Sequence, residues 1–77
     1  MDEIRAVKMG RGQFYTVMDG GREIGWIKRR SAIRWFHQLA QFFFTDAGEA
    51  FDDLMRQLGV QGQTWKEAVE RGKERKA

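Results

Sequence analysis

The sequence predicts an α+β fold in which a small antiparallel β-meander of three to five strands carries one amphipathic helix on one face and is followed by a short C-terminal helix. Three observations lead to this prediction: a hairpin pattern over residues 14–27, a helical apolar repeat over residues 46–58, and a capping sequence at residues 64–67. We expect residues 1–62 to form the meander and the helix, and residues 63–77 to form the short helix and a basic tail.

The hairpin pattern is Asp19-Gly20 between two runs that are rich in β-branched and aromatic residues. A type I′ turn needs positive φ at both central residues, which this dipeptide tolerates. With Met18 opposite Gly21, alternation of side chains defines two faces. The more apolar face is assigned to the core and carries Tyr15, Val17, Ile24 and Trp26. The other face, predicted to be free of helices, carries Phe14, Thr16, Met18, Glu23, Ile27 and Arg29.

The region after this hairpin has two interpretations. The first three strands are predicted over residues 2–9, 13–18 and 21–28. Residues 32–45 then form either two further strands, over 33–39 and 42–45, or a helix capped by Ser31. Aromatic enrichment favours strands, whereas the absence of a glycine turn near residue 40 favours the helix. We favour the strands.

A helix is predicted from Asp46 to Leu58 because apolar residues recur there at helical spacing. They are Ala47, Ala50, Phe51, Leu54, Met55 and Leu58. Asp46 and Glu49 have the spacing of a capping box, and Gly59 follows at the usual left-handed position. The outer face of this helix is predicted to hold Glu49, Asp52, Asp53 and Arg56. The core should bury Tyr15, Trp26, Phe51 and Leu54 together.

A second capping box, Thr64 to Glu67, predicts the start of the short C-terminal helix. The apolar content of this helix is small, and we expect Trp65 to dock it onto the rest of the protein. From Gly72 onward the sequence predicts a frayed basic tail.

Charge is unevenly distributed along the chain, which has 14 Lys and Arg residues against 11 Asp and Glu residues. Residues 4–34 contain eight basic and two acidic residues, whereas residues 46–56 contain four acidic residues and one basic residue. A segregated basic surface attracts polyanions, although solubility alone also explains such a surface. The chain lacks Cys and has one His, so we expect no disulfide, no metal site and no cofactor.

Neither a secretory leader nor a membrane span is predicted. The N-terminal residues lack a basic region followed by an apolar stretch, and the longest apolar run, Phe42 to Phe44, is far too short to span a membrane. A cytoplasmic protein without a membrane partner is the expectation. We also expect no enzyme, because His37 has no nucleophile and orienting carboxylate at a recognisable spacing, and Asp52 and Asp53 are adjacent helix positions.

The segment from Lys28 to Trp35 is the best functional candidate. It contains four cations within seven residues, namely Lys28, Arg29, Arg30 and Arg34. Arg binds phosphate bidentately and can also contact guanine edges, and Trp35 offers a stacking surface for a base. The alternative is a solvated connection whose Trp35 belongs to the core.

Part of the chain resembles the sheet-plus-helix DNA-binding domains of plant ethylene-response factors and of the arm-binding end of phage integrases. The likeness covers about residues 4–58 and lies in Tyr15-Thr16-Val17, in the turn at residues 19–21, and in Phe44-Thr45 followed by Glu49-Ala50. The Glu-Ala pair is one residue farther from Thr45 here than the corresponding pair is from its Thr in that family. The resemblance implies a sheet in the major groove, with contacts from Arg11, Arg22, Lys28, Arg29, Arg34 and Trp35.

The function expected from these observations is nucleic-acid binding, with DNA favoured over RNA, through the free sheet face and the segment Lys28 to Trp35. The alternative is a small protein of the kind that phages and mobile elements encode, which binds and inhibits or modulates a host protein. A homodimer that buries the free sheet face is a third alternative. Strong salt dependence of DNA binding would favour nucleic-acid binding, whereas a stoichiometric protein complex that forms without nucleic acid would favour the binding of a host protein.

Overall fold

The fold is α+β, as predicted from the sequence. The computed structural model describes residues 3–11 and 13–73, and its four strands form one antiparallel sheet in the order β1-β2-β3-β4. The strands are β1 (Ile4–Met9), β2 (Phe14–Asp19), β3 (Arg22–Ser31) and β4 (Arg34–His37). The helices are α1 (Ala47–Leu58) and α2 (Trp65–Lys73). In this part of the chain neither helix is long and apolar enough to cross a membrane.

The hairpin of β2 and β3 forms where it was predicted, but its register differs from the prediction. Asp19 lies opposite Arg22, so the two central turn residues are Gly20, with a φ of 63°, and Gly21. The register shifts at Val17/Met18, where Ile24 is the extra residue of a bulge. A shift of one residue moves every later side chain to the other face.

Because of this bulge, the residues of β3 after Ile24 lie on the face opposite to the predicted one. Trp26 was assigned to the core, but it lies opposite Thr16 on the face away from the helices. Ile27 was assigned to the free face, but it lies opposite Tyr15 and is fully buried. Arg29 moves with Ile27 to the helix side, because alternate residues of a strand share a face.

The core lies between the sheet and both helices. The sheet contributes Ile4, Ala6, Val17 and Ile27, and the helices contribute Ala50, Phe51, Leu54, Met55 and Ala68. Of the four residues predicted to be buried together, Phe51 and Leu54 are buried and Tyr15 packs against them, whereas Trp26 is not part of this core. At Gly25 a Cβ atom would lie 3.1 Å from Leu54 Cδ2, so α1 crosses β3 very closely there.

Local capping signals explain the ends of α1. The Asp46 carboxylate accepts a hydrogen bond from the Glu49 N–H at 2.9 Å, and Glu49 in turn accepts from the Thr45 N–H and hydroxyl at 3.2 and 2.7 Å. At the other end Gly59 has a φ of 76°, and the Val60 N–H donates to the Met55 carbonyl at 2.9 Å. The predicted Asp46 cap and the Gly59 ending are confirmed, whereas the Glu49 side chain accepts from Thr45 and not from the Asp46 N–H that a capping box would use.

Helix α2 packs directly on the edge strand β1. Its first turn is capped by the Thr64 hydroxyl, and Trp65 contacts the Tyr15 and Phe51 rings with centroid distances of 4.9 and 5.5 Å. At Gly72 a Cβ atom would lie 2.1 Å from the Ala6 carbonyl oxygen, so only glycine allows this approach. Gly72 is therefore helical rather than the start of a tail, and the remainder of the predicted tail, residues 74–77, lies outside the described residues.

Residues 32–45 follow the strand interpretation rather than the helical one. Strand β4 is shorter than predicted, and the predicted fifth strand is reduced to one bridge between Trp35 and Phe44. The two residues exchange backbone hydrogen bonds of 2.8 and 2.7 Å. This bridge folds residues 40–43 back beside the end of the sheet.

Candidate nucleic-acid interface

The helices cover one face of the sheet, and the other face, here called the free face, faces away from them. Side-chain alternation and the register give its strand residues. They include Val7, Met9, Phe14, Thr16, Met18, Glu23, Trp26, Lys28, Arg34 and Phe36. Four of the residues predicted for this face are therefore on it, namely Phe14, Thr16, Met18 and Glu23, whereas Trp26 and Phe36 were not predicted there.

Four aromatic rings form a continuous row across the free face. Phe14 and Trp26 have ring centroids 6.4 Å apart, and Trp26 and Phe36 have centroids 5.6 Å apart in a T-shaped arrangement. Phe36 then contacts Phe43, again T-shaped, at 5.7 Å. This aromatic row thus crosses β2, β3 and β4 and reaches the segment after β4. Phe43 is 47% exposed at its end.

Cations lie among the rings of the aromatic row. The Lys28 ammonium nitrogen is 5.3 Å from the Phe14 ring centroid and 4.8 Å from that of Trp26. The Arg34 guanidinium carbon is 5.8 Å from the Phe43 centroid, and Arg30 lines a cavity beside the same ring. Within residues 3–11 and 13–73 none of these three cations forms a salt bridge. Their positive charge is therefore available to a ligand.

The structure divides the predicted site residues between the two faces. Lys28, Arg30 and Arg34 lie along the aromatic row. Arg29 lies opposite Trp35 on the helix side, where Trp35 packs against the core with its ring 6.4 Å from that of Tyr15. The other two predicted residues are also away from the row: Arg22 lies opposite Asp19 in the strand register at the hairpin turn, and Arg11 is exposed in the turn between β1 and β2.

Sequence reasoning missed the rings of the row as site residues. Phe14 was assigned to the free face but not to a site, and Trp26 was assigned to the core because the bulge was not recognised. Phe36 and Phe43 belonged to the ambiguous segment. A glycine inside a strand pattern often marks a bulge or a close backbone approach, so Gly25 was the available signal.

A second unpredicted feature is the pair His37 and Asp53, which joins β4 to α1. The His37 side chain is fully buried, and its Nε2 is 2.8 Å from Asp53 Oδ2. Its Nδ1 accepts a hydrogen bond from the Leu39 N–H at 3.1 Å. Because Nδ1 is an acceptor, the ring proton is on Nε2 and is donated to Asp53. Asp53 was predicted on the outer face of the helix, but its side chain is only 14% exposed and faces the sheet.

The environment of Asp53 favours its ionised form. The hydrogen bond from His37 is the main cause that lowers the pKa of the Asp53 carboxyl below its ordinary value, and burial opposes this effect. The Gln57 amide, at 2.8 Å, and the Arg56 guanidinium lower this pKa further. Both ring nitrogens of His37 thus make hydrogen bonds within the protein, and the pair links β4 to α1.

No group of three or more His, Cys, Asp or Glu side chains that could hold a metal ion occurs in the described ranges 3–11 and 13–73. Comparison of the chain with protein-family profiles, with curated proteins and with solved structures gives no match. The functional assignment below therefore depends on the free face itself.

Proposed function

We propose that this protein binds single-stranded nucleic acid on its free face, with bases stacked on the aromatic row and phosphates held by Lys28, Arg30 and Arg34. The observation that carries the proposal is the position of the Lys28 ammonium, about 5 Å from both the Phe14 and Trp26 rings. Aromatic side chains interleaved with cations are the usual means of binding single strands, with stacking contributing roughly 1–3 kcal/mol per base.

The composition of the free face favours a single strand over a duplex. In a duplex the flat faces of the bases are stacked on one another, and proteins reach only base edges and phosphates. The grooves of a duplex therefore offer no base faces on which the four rings of the aromatic row could stack. Because the Watson–Crick edges and flat faces of an unpaired strand are accessible, rings such as Trp26 and Phe36 can stack with its bases.

A protein partner on the same face is the second candidate. Phe42 is 70% exposed beside the aromatic row, and aromatic residues and Met are enriched at protein interfaces. A host protein that this chain inhibits, or a second copy of the chain, would bury these rings. Cations placed over the rings favour a polyanion, because burying them against an apolar partner would cost desolvation energy.

The proposal is tested by fluorescence-anisotropy titration of single-stranded DNA, single-stranded RNA and duplex DNA of one sequence at several salt concentrations. The test variant is Lys28→Gln/Arg30→Gln/Arg34→Gln. The matched control, Arg11→Gln/Arg22→Gln/Arg29→Gln, removes the same charge away from the aromatic row. We expect the test variant to bind every single strand weakly. The slope of log affinity against log salt concentration should become less steep by roughly 0.7 for each phosphate contact that is lost.

The control should keep most of its affinity, since it affects only the long-range field of the protein. Equal losses in the two triple variants would mean that net charge, and not the free face, attracts the polyanion. If the unmodified, folded protein binds none of the three nucleic acids even at about 50 mM salt, the proposal is refuted and a protein partner is favoured.

A further inference from the structure

A cavity of about 200 Å³ lies at the end of the aromatic row, where residues 40–43 fold back beside β3 and β4. It is lined by Arg30, Phe36, Ala40, Gln41, Phe42 and Phe43. Sites for drug-sized ligands usually measure roughly 300–1,000 Å³, so this cavity is suited to a single ring system. It opens next to the surface on which we propose that a strand binds.

We propose that this cavity takes one unstacked base of the bound strand and that Gln41 recognises its edge, with adenine preferred. The inference rests on the proposed function and specifies it. Phe36, Phe42 and Phe43 offer ring surfaces to the base, and Phe42 and Phe43 are accessible at 70% and 47% exposure. A base that leaves the stack exposes its edges to hydrogen bonding, which is how proteins recognise single strands.

Gln41 supplies the polar group that a base requires. Its side-chain amide carries an acceptor and donors in one plane, which matches the N6 donor and N7 acceptor of adenine. Gln41 is exposed and makes no side-chain hydrogen bond within residues 3–11 and 13–73, so its amide is available.

Charge complementarity favours a nucleotide over an apolar side chain of a protein in this cavity. The lining residues include the Arg30 guanidinium and no carboxylate, and Arg34 lies over the adjoining Phe43 ring. A base in the cavity would bring its own phosphate close to these two cations. An apolar peptide side chain would fill the same space but would leave the cations without a partner.

The test uses oligothymidine of about eight nucleotides, within the site sizes of comparable binding domains, with and without one central adenine. The unmodified protein should bind the adenine-containing strand roughly tenfold more tightly, as expected for one bidentate base contact. The variant Gln41→Leu should bind both strands equally, with unchanged affinity for oligothymidine and an unchanged salt slope. The control Gln61→Leu alters an exposed glutamine in the loop after α1 and should keep the preference.

The outcomes separate this inference from the proposed function. If the unmodified protein binds both strands equally, or if Gln41→Leu keeps the tenfold preference, the base cavity is refuted while nucleic-acid binding remains. If no strand binds at all, the proposed function fails, and the inference fails with it. Since Gln41 is exposed, Gln41→Leu should remain folded, which circular dichroism verifies.

Discussion

The helix-covered face and the free face of the sheet differ in how completely their apolar side chains are buried. On the helix side Ile4, Val17 and Ile27 are aliphatic and fully buried against α1 and α2. On the free face Phe14, Trp26 and Phe36 are aromatic and only partly buried, and they contact one another and a Lys. Side chains in a close-packed core have no surface left for a ligand, whereas surface rings with adjacent cations offer a ligand both stacking and charge.

This difference separates residues needed for folding from residues available for binding. Burial in the core removes the whole side chain from water, which is the dominant stabilising effect in folding. Edge-to-face ring pairs on the free face contribute less, about 0.5–1.5 kcal/mol per pair. An aromatic patch that folding does not cover is a common mark of an interaction site.

The largest expected effect lies on the helix side of this comparison. Phe51→Ala should lower the free energy of unfolding by about 3–5 kcal/mol, because the ring is fully buried in the core. Phe43→Ala on the free face removes one ring pair and should cost no more than about 1.5 kcal/mol. Urea unfolding followed by circular dichroism measures both values.

The total stability of a domain of this length is only about 4–12 kcal/mol, so Phe51→Ala could unfold completely. Phe51→Leu, which should cost less, keeps the measurement possible in that case. Equal losses for Phe51→Ala and Phe43→Ala would show that the two faces contribute alike and would break the comparison.

A smaller effect is expected at the connection between the sheet and α1. Asp53→Asn weakens the hydrogen bond from His37 and should cost about 1–2 kcal/mol at neutral pH. The pKa of the Asp53 carboxyl is lower in the folded protein than its ordinary value of 3.8. Its contribution to stability is therefore fully present above about pH 4 and is lost as the pH falls through the lowered value.

The stability difference between the unmodified protein and Asp53→Asn should therefore shrink on acidification, as urea unfolding at neutral and acidic pH would measure. Asp52→Asn is the matched control, because Asp52 is the exposed neighbour of Asp53 and has no side-chain hydrogen bond within residues 3–11 and 13–73. A difference that grows in acid would contradict the assigned role of the Asp53 carboxylate.

Helices and their caps could be predicted from the sequence because the determinants are local. Asp46, Glu49 and Gly59 lie within one helix and its flanks, and their spacing alone specifies both ends. The hairpin was also predicted, since a turn with Gly20 at positive φ is a local feature. Its register was not, because the bulge at Ile24 accompanies the close approach of Leu54 to Gly25, two residues far apart in the sequence.

The same long-range dependence explains what was missed in the candidate site. A run of cations such as Lys28 to Arg30 is visible in the sequence, but the face on which each side chain lies depends on the register. The bulge moves Lys28 with Trp26 to the free face and moves Arg29 to the helix side, opposite Trp35. The His37–Asp53 pair joins residues 16 positions apart in different elements, so sequence spacing could not predict it.

The smallest expected effect on stability gives the sharpest test of the free face. Phe42 and Ile33 have similar exposures, 70% and 66%, so Phe42→Ser and Ile33→Ser should each change the free energy of unfolding by no more than about 0.5 kcal/mol. Phe42 lines the cavity at the end of the aromatic row, whereas Ile33 lies in the turn between β3 and β4 and does not line it.

Binding should therefore distinguish two substitutions that stability does not. Phe42→Ser should weaken binding of single-stranded DNA roughly tenfold, since a stacking surface is lost, and Ile33→Ser should leave the affinity unchanged. Anisotropy titrations of the two variants, with thermal unfolding of the same samples, provide the measurement. Equal losses of affinity would mean that the ligand contacts exposed apolar residues generally, as a protein partner does, because a strand stacked on rings has no reason to contact Ile33.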